Sequence, residues 1–272
     1  GLQQYLDSDF QLYSHPTSTD LIEVKNLYKS FGDTEVLTDI SFTFLKGKVN
    51  MIIGQSGSGK SVLTKCIVGL HQPDQGEVLF DGQNFLQLPL EEKKEIRKNI
   101  GMLFQASALF DSMTVEENIS FPLRMFTNNT AGEIKSRVDE CLERVNLVGK
   151  NDLYPGETSG GMQKRIGIAR AIAMKPAYLF CDEPNSGLDP QTAIVIDNLI
   201  HEITYEMDIT TIVITHDMNS VIEIGDHIMF VYKGKKWWSG DKQDILRSKN
   251  NELNDFVYAS KFMKTLREKL NS

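Results

Sequence analysis

The chain has 272 residues, of which 40% are hydrophobic and 24% charged, enough for a substantial core beneath a polar surface. Its formal net charge of −8 disfavours a main partner with a nucleic acid backbone, so we expect no nucleic acid partner. No apolar run approaches the ~20 residues that span a bilayer, and the first residues lack the pattern of a secretory signal. The three cysteines, Cys66, Cys141 and Cys181, are widely spaced, which indicates buried thiols in a reducing compartment. We therefore expect a soluble intracellular α/β protein.

Short strand-like segments begin after residue 20. We expect a loose polar tail over residues 1–20, an α/β domain over 21–245 and a helical extension over 246–272. Alternating apolar residues in "LIEVKNL" and "EVLTDISFTF" predict an antiparallel, half-exposed sheet. Three later runs, "VNMII", "AYLFC" and "TTIVIT", are continuously apolar, as in strands that are buried on both faces of a parallel sheet. Helical patterns separate these runs, which favours a βαβ architecture.

The sequence pattern of residues 105–165 differs from that of the strand-like segments around it, and we predict a mostly helical insert there. Thr130 and Glu133 form a capping box ahead of an apolar series at helical spacing. The run "EEKKEIRKN" predicts a solvated helix with i,i+4 charge pairs. Near the end, "HIMFVYKGKKWWSG" predicts a hairpin ahead of a polar helical tail. In that tail Phe256, Tyr258 and Phe262 are either core anchors or docking residues for a neighbouring subunit or regulator.

A strand, a glycine-rich turn and a helix follow one another in "VNMIIGQSGSGKSVLTKCIVGL". The turn matches the phosphate-binding pattern G-x-x-x-x-G-K-[ST]. Backbone N–H groups of such a turn face one point, its lysine reaches the β- and γ-phosphates, and its hydroxyl completes a magnesium shell. Leu63, Cys66, Ile67 and Leu70 are expected to form the buried face of the helix. The expected nucleotide contacts are Gly54, Gln55, Ser56, Gly57, Ser58, Gly59, Lys60, Ser61 and Val62.

Titratable residues follow two of the buried strands. The carboxyl end of a parallel strand is where ligands bind in such sheets. Asp182 suits magnesium, and Glu183 can polarise a water for in-line attack on a γ-phosphate. His216 can donate to a γ-phosphate oxygen or orient the water. The alternatives are that Asp182 and Glu183 only cap the next helix, and that His216 is a capping or surface residue.

A second helix entrance made of small residues occurs in "YPGETSGGMQKRIGIARAIA", residues 154–173. Apolar residues recur there at helical spacing, with Lys164 and Arg165 between them. N–H groups at the positive end of the helix dipole can hold an anion, which makes this a second anion site. Elsewhere, Phe31 precedes a glycine turn, where an aromatic ring could stack on adenine. Gln105 follows a strand and by itself indicates little.

Together these segments resemble the ATPase subunit of ABC transporters over residues 21–245. "GQSGSGKS" is similar to Walker A, "AYLFCDE" to Walker B and "TSGGMQ" to the signature motif, while residues 186–189 resemble the D-loop. Phe31 matches the adenine-stacking position, Gln105 the Q-loop glutamine and His216 the switch histidine. The resemblance implies a P-loop NTPase (RecA-like) core with an antiparallel β subdomain and a helical subdomain. It also implies an ATPase that uses ATP and Mg²⁺, with the ion near Ser61, Gln105 and Asp182.

In this family two subunits pack head to tail, and each ATP lies between the P-loop of one and the signature motif of the other. The resemblance thus implies a homodimer and a catalytic set of Glu183, His216, Lys60 and Gln105. It also implies contacts to the partner's ATP from Ser159, Gly160, Gly161, Met162 and Asp189. The sequence departs from the family pattern at Thr158 and Met162, where L-S-G-G-Q has Leu and Gln, and at Gly187, where Ala is usual.

A narrower resemblance follows Gln105, where "ALFDSMTVEENISFPL" is similar to ATPases of the lipid-asymmetry (Mla-type) systems. These move phospholipids between bacterial membranes with a permease and an MCE-domain protein. The implied partners are those two and a small regulatory subunit, and the implied location is the cytoplasmic face of the inner membrane. Alternatives are another transported substrate, a soluble ABC protein acting on DNA or ribosomes, and a regulator that does not hydrolyse ATP. The chain has no room for coiled-coil inserts or a second cassette, and Glu183 and His216 disfavour the regulator.

Overall fold

The structure, a computed structural model, describes residues 21–259. The expected tail over 1–20, and Phe262 with the rest of residues 260–272, lie outside the described residues. The strands are β1 (Ile22–Phe31), β2 (Thr34–Phe44), β3 (Val49–Ile53), β4 (Gln75–Phe80), β5 (Gln83–Asn84), β6 (Ile100–Leu103), β7 (Tyr178–Asp182), β8 (Thr210–Thr215), β9 (His227–Tyr232) and β10 (Lys235–Gly240). The α-helices are α1 (Lys60–Ile67), α2 (Leu90–Lys98), α3 (Val115–Phe126), α4 (Ala131–Arg144), α5 (Gly160–Ile172), α6 (Pro190–Glu206), α7 (Met218–Ile224), α8 (Lys242–Arg247) and α9 (Asn251–Val257).

The smaller sheet is antiparallel, with strand order β2-β1-β4-β5. Ile22 of β1 lies opposite Phe44 of β2 and Phe80 of β4, and all three side chains are buried. Exposed and buried residues alternate irregularly along β1, whose register shifts at several points. The predicted antiparallel, half-exposed sheet is therefore confirmed.

The larger sheet has strand order β10-β9-β3-β8-β7-β6, and all pairs except β9–β10 are parallel. Strands β3 and β8 are buried along their whole length, as their continuous apolar sequences predicted. Ile53 pairs with Thr215, and Asp182 pairs with Ile214. The carboxyl ends of β3, β8 and β7 therefore lie side by side, so the residues that follow them converge on one edge.

Helices α3, α4 and α5 pack together beside this sheet. The predicted capping box starts α4: Thr130 N–H donates to Glu133 Oε2 (2.6 Å), and Glu133 N–H donates to Thr130 Oγ1 (3.3 Å). Val138 and Cys141 of the predicted apolar series are fully buried. Within residues 21–259, no helix is both long and apolar enough to cross a membrane.

Two local expectations were wrong. Leu70 is 57% exposed, because α1 ends at Ile67 and Gly69 turns the chain with a φ of 74°. The ion pairs of α2 are spaced i,i+3, from Lys94 to Glu91 and from Lys98 to Glu95. Residues four apart in this run carry like charges or include the uncharged Ile96 or Asn99, so no opposite-charge i,i+4 pair can form.

The carboxy-terminal helices α8 and α9 anchor to the core. Leu253, Val257 and Tyr258 are buried, and the rings of Phe256 and Phe230 lie 5.4 Å apart. Phe256 and Tyr258 are thus core anchors rather than exposed docking residues. The three cysteines are buried, as expected.

Candidate functional site

The turn between β3 and α1 is tightly curled. Gly54 and Gly59 have φ values of +150° and +105°, which residues with a Cβ atom rarely adopt. A Cβ atom on Gly54 would lie 2.3 Å from the Val231 carbonyl oxygen, and one on Gly59 would lie 2.8 Å from Leu37 Cδ2. Glycine is therefore required at both positions, and the turn presses directly against β9 and β2.

Lys60, the first residue of α1, folds back over this turn. Its Nζ donates to the carbonyls of Gly54 (2.7 Å) and Gln55 (3.0 Å), and its side chain is buried. Burial lowers the pKa of Lys60, while the carboxylates of Glu183 and Asp182 oppose this shift. Nearby, Ser58 Oγ is buried without a hydrogen-bond partner. The turn thus holds a cation beside two carboxylates at the predicted phosphate site.

Glu183 and His216 form a pair at the ends of β7 and β8. His216 Nδ1 lies 2.8 Å from Glu183 Oε2, and the Glu183 side chain is 14% exposed. With an ionised carboxylate, Nδ1 must be the donor. The Glu183 N–H donates to the Ile214 carbonyl (2.8 Å), which fixes its backbone against β8. The capping alternatives are wrong, because Asp189 caps α6 and Asp217 caps α7, whereas His216 does lie at the surface with 63% of its side chain exposed.

Asp182 offers a free oxygen beside this pair. Its Oδ1 is buried and has no hydrogen-bond partner. Burial raises the pKa of Asp182, the charge of Glu183 adds to the shift, and Lys65 and Lys60 oppose it. A carboxylate oxygen here, with the Ser61 hydroxyl at the start of α1, is the kind of oxygen donor set that Mg²⁺ prefers. These residues fit a magnesium ion.

The chain that follows β6 contains Gln105, whose amide nitrogen lies 3.4 Å from Ser186 Oγ. Helix α5 holds this segment through two cations that the sequence analysis did not assign to it. Lys164 Nζ donates to the Gln105 carbonyl and to the Glu183 carbonyl (3.3 Å). Arg170 donates to the carbonyls of Ser107 (2.7 Å) and Ala108 (2.9 Å).

Lys164 is 5% exposed, although the apolar spacing had placed it between the buried positions. A signal was present in the sequence. Gly161, Lys164, Ile168 and Ala171 lie at i, i+3, i+7 and i+10, which is one face of a helix, and all four are buried.

Phe31 presents an aromatic ring at the end of β1. It is 46% exposed, its ring packs in a T-shaped arrangement with that of His71 (centroids 5.4 Å apart), and Lys29 Nζ lies 5.2 Å from its centroid. Asp74 holds Lys29 through a 2.9 Å ion pair. His71, to which the sequence analysis gave no role, therefore supports the predicted adenine-stacking ring.

The signature segment begins α5. Ser159 caps the helix by accepting from Met162 N–H (3.3 Å), and both Ser159 and Gly160 are exposed. A Cβ atom on Gly161 would lie 2.5 Å from Thr192 Cγ2, so this helix start packs on the start of α6. The Met162 side chain is half-buried against the core. Ser159 and Gly160 are therefore the exposed residues at the start of α5.

Asp189 belongs to the adjoining D-loop and caps α6. Its Oδ1 accepts from the N–H groups of Gln191 and Thr192, both at 3.0 Å. Hydrogen bonds from Thr192 and Gln191 hold the pKa of Asp189 below its usual value. The Asp189 side chain is thus committed to its own chain while the residue remains exposed.

A buried polar network lies beneath the D-loop. Asn185 Nδ2 donates to Asp197 Oδ1 (2.8 Å) and to Ser220 Oγ (2.9 Å), and Ser220 Oγ donates to Asp197 Oδ2 (2.8 Å). Burial raises the pKa of Asp197 to about 6, against the hydrogen bonds of Ser220 and Asn185. This network joins the chain after Glu183 to α6 and α7, and nothing in the spacing of the three residues indicated it.

The chain is similar to several known proteins. The family model of the ABC transporter matches residues 37–186. The intermembrane phospholipid transport system ATP-binding protein MlaF of Haemophilus influenzae is 39% identical over 88% of this chain and 90% of that protein. The probable ribonucleotide transport ATP-binding protein mkl of Mycobacterium leprae is 38% identical over 87% of this chain and 68% of that protein. The methionine import ATP-binding protein MetN of Carboxydothermus hydrogenoformans is 42% identical over 83% of this chain and 67% of that protein.

Solved structures show the same architecture. The dimeric ATP-binding cassette MJ0796, in a post-hydrolysis state with ADP and Pi, has a TM-score of 0.74 and 30% identity over 81% of this chain and 98% of that one. The structure of cbiO1 from Clostridium perfringens, part of the ABC transporter complex cbiONQ, has a TM-score of 0.79 and 28% identity over 94% and 100%. The predicted P-loop NTPase core is confirmed.

The fold agrees with the family match, which covers more than half of the chain, and with the likeness to MlaF, 90% of whose length is covered. The chain belongs to the ABC transporter family and is an ATP-hydrolysing subunit of that family.

Proposed function

We propose that this ATPase is the motor of a membrane transporter that moves phospholipids between the bacterial inner and outer membranes. The observation that carries the motor role is the Glu183–His216 pair, which lies at the sheet edge that also bears Lys60 and Asp182. A base, a histidine and a cation then share one site, an arrangement that suits in-line phosphoryl transfer to water.

Each residue of this site has its own role in binding or hydrolysing ATP. The N–H groups of the turn from Gly54 to Gly59 bind the phosphates, and Lys60 exchanges its two carbonyl contacts for phosphate oxygens. Ser61 and Asp182, with Gln105 nearby, would hold a Mg²⁺ ion, which would supply positive charge against the phosphates. Glu183 accepts the proton of the attacking water, and His216 keeps that carboxylate oriented through Nδ1.

The exposed start of α5 supports a head-to-tail homodimer. Ser159 and Gly160 face solvent at the positive end of a helix, so a second subunit can present its ATP there. In this arrangement Gly161, Met162 and Asp189 position that surface, and Phe31 stacks on adenine in its own subunit. ATP that contacts both subunits only in the closed dimer shifts the population toward closure. The dimeric form of MJ0796 with ADP and Pi supports this proposal.

An apolar surface near Gln105 suits a permease. Phe104, Phe110, Met125 and Phe126 are 37–60% exposed, and Phe110 contacts Phe121 with ring centroids 4.9 Å apart. Exposed aromatic residues around a segment tied to the nucleotide site can carry motion to a membrane partner. The permease would place the chain on the cytoplasmic face of the inner membrane.

The phospholipid substrate rests on the likeness to MlaF, of which the chain covers 90%, against about two thirds of mkl and MetN. Another substrate is the alternative, because the latter two proteins carry names for ribonucleotide transport and methionine import. An MCE-domain protein and a small regulatory subunit are the further partners that the lipid proposal implies.

Co-purification from native membranes tests this proposal. We expect the tagged full chain, in mild detergent, to retain a permease, an MCE-domain protein and phospholipid, as identified by mass spectrometry. A complex without the MCE-domain protein and phospholipid would contradict the lipid proposal. The Phe110→Ser variant should lose the permease, whereas Val148→Ser should retain it, since Val148 is 71% exposed and lies outside the apolar surface near Gln105. Equal retention by both variants would refute that docking surface.

A further inference from the structure

Lys164 joins three segments of the candidate site. It lies on α5, the helix that begins with the signature residues, and its Nζ donates to the carbonyls of both Gln105 and Glu183. The side chain is 5% exposed, so water competes little for these contacts. One buried cation therefore contacts the backbone of the Q-loop and of the proposed catalytic base.

The backbone of Glu183 is held from two sides. Its N–H donates to the Ile214 carbonyl of β8 (2.8 Å), and its carbonyl accepts from Lys164 (3.3 Å). Glu183 also has a left-handed backbone, with a φ of 49°. A displacement of Lys164 would thus act on a peptide whose other face is fixed to the central sheet, and would reorient the carboxylate.

Helix α5 is rigidly joined to the Q-loop. A Cβ atom on Gly167 would lie 2.7 Å from Leu103 Cδ1, so the helix and the end of β6 are in close contact. Arg170 holds the next residues through the carbonyls of Ser107 and Ala108. Lys164 is five residues from the capping Ser159, which is about 7.5 Å along an α-helix. A shift at the exposed helix start therefore reaches Gln105 and Glu183 without intervening flexible chain.

We propose that Lys164 is a positioning residue that couples the two ATP sites of the dimer. The ATP bound by a partner's P-loop pulls on Ser159 and Gly160, and Lys164 transfers this displacement to Gln105 and Glu183, which serve the subunit's own ATP. This inference rests on the proposed head-to-tail dimer. It predicts that Lys164 governs turnover and cooperativity rather than the affinity of one subunit for ATP.

The test compares Lys164→Met with Arg165→Met in the full chain within its transporter complex. Arg165 is a matched control, because it lies on the same helix and donates to the carbonyls of Val145 (3.3 Å) and Asn146 (3.2 Å), away from the Q-loop. We expect Lys164→Met to lower kcat by at least about tenfold and the Hill coefficient for ATP toward one, as for the loss of charge-assisted hydrogen bonds. KM and nucleotide binding to the isolated chain should stay nearly unchanged, and Lys164→Arg should restore part of the cooperativity.

Several results would overturn the inference. They are a wild-type Hill coefficient of one, an unchanged coefficient in Lys164→Met, or an equal loss in Arg165→Met. Should Lys164→Met fail to fold, Lys164→Gln keeps a neutral amide donor without the charge and must still lower the Hill coefficient. Failure of the proposed function is distinguishable, because Glu183→Gln would then hydrolyse ATP at the wild-type rate.

Discussion

Glycine and serine residues lie around the N-termini of both α1 and α5, yet the surroundings of these two helix starts differ. At α1 the preceding turn packs against β2 and β9, and Lys60 is buried over its carbonyls. At α5 the first residues Ser159 and Gly160 are exposed, and the buried cation Lys164 lies further along the helix, where it points to other segments. The same local motif thus forms an enclosed turn, the predicted phosphate site, in one place and an open surface in the other.

The difference lies in what surrounds each helix start. Helix α1 follows a central strand, so its start lies at the edge where β7 and β8 also end. Helix α5 starts beside α6, where Gly161 packs on Thr192 and Gly160 lies near Leu188 of the D-loop. The start of α1 lies beside its own lysine and carboxylates, whereas the start of α5 presents exposed residues that the proposed dimer would cover.

The largest effect should come from the enclosed site. Lys60→Ala removes the cation that contacts two loop carbonyls and lies beside Asp182 and Glu183. We expect ATP affinity to fall by about a thousandfold, from the loss of two charge-assisted hydrogen bonds to phosphates. Titration with a fluorescent ATP analogue measures this, with Lys98→Ala on the surface of α2 as the control. Near-normal affinity of Lys60→Ala would remove the phosphate-site assignment.

The open site should respond differently. Ser159→Arg places a bulky cation where the partner's ATP would approach, so we expect hydrolysis to fall by about a hundredfold through loss of closure. ATP binding to the isolated chain should remain intact, as a binding titration beside a turnover assay would show. Ser159→Ala separates the loss of the cap, about 1 kcal/mol, from the steric effect. If Ser159→Arg abolishes binding to one subunit, the comparison between the two helix starts fails.

The smallest effect concerns the network beneath the D-loop, which supports the open site. Burial raises the pKa of Asp197 to about 6, so the folded protein binds a proton more tightly than the unfolded chain. The stability that the folded protein gains from this tighter proton binding is therefore present at low pH and is lost as the pH rises through 6. Relative to Asp197→Asn, the wild type should gain roughly 1 kcal/mol between pH 7 and pH 5. Urea unfolding at both pH values measures the difference, and a constant difference would show that the carboxyl does not titrate in this range.

Much of the fold follows from local patterns. The continuous apolar runs of β3, β7 and β8 predicted buried parallel strands, because both faces of such strands must be covered. The glycine-rich turn and the acidic strand end indicated where chemistry would occur. The helical pattern of α1 was less reliable at its end, since Leu70 follows a glycine turn that the apolar spacing did not take into account.

The sequence by itself determined the strand types, the phosphate turn and the order of the motifs, because these depend on residues close together in the chain. Only the tertiary structure decided that His216 pairs with Glu183, that Lys164 turns inward to Gln105, and that Asp197 joins Asn185 to Ser220. Each contact joins residues on different elements, and its hydrogen-bonding groups could equally have faced water. Buried polar groups require hydrogen-bond partners, and this requirement selected the contacts that the local sequence pattern could not predict.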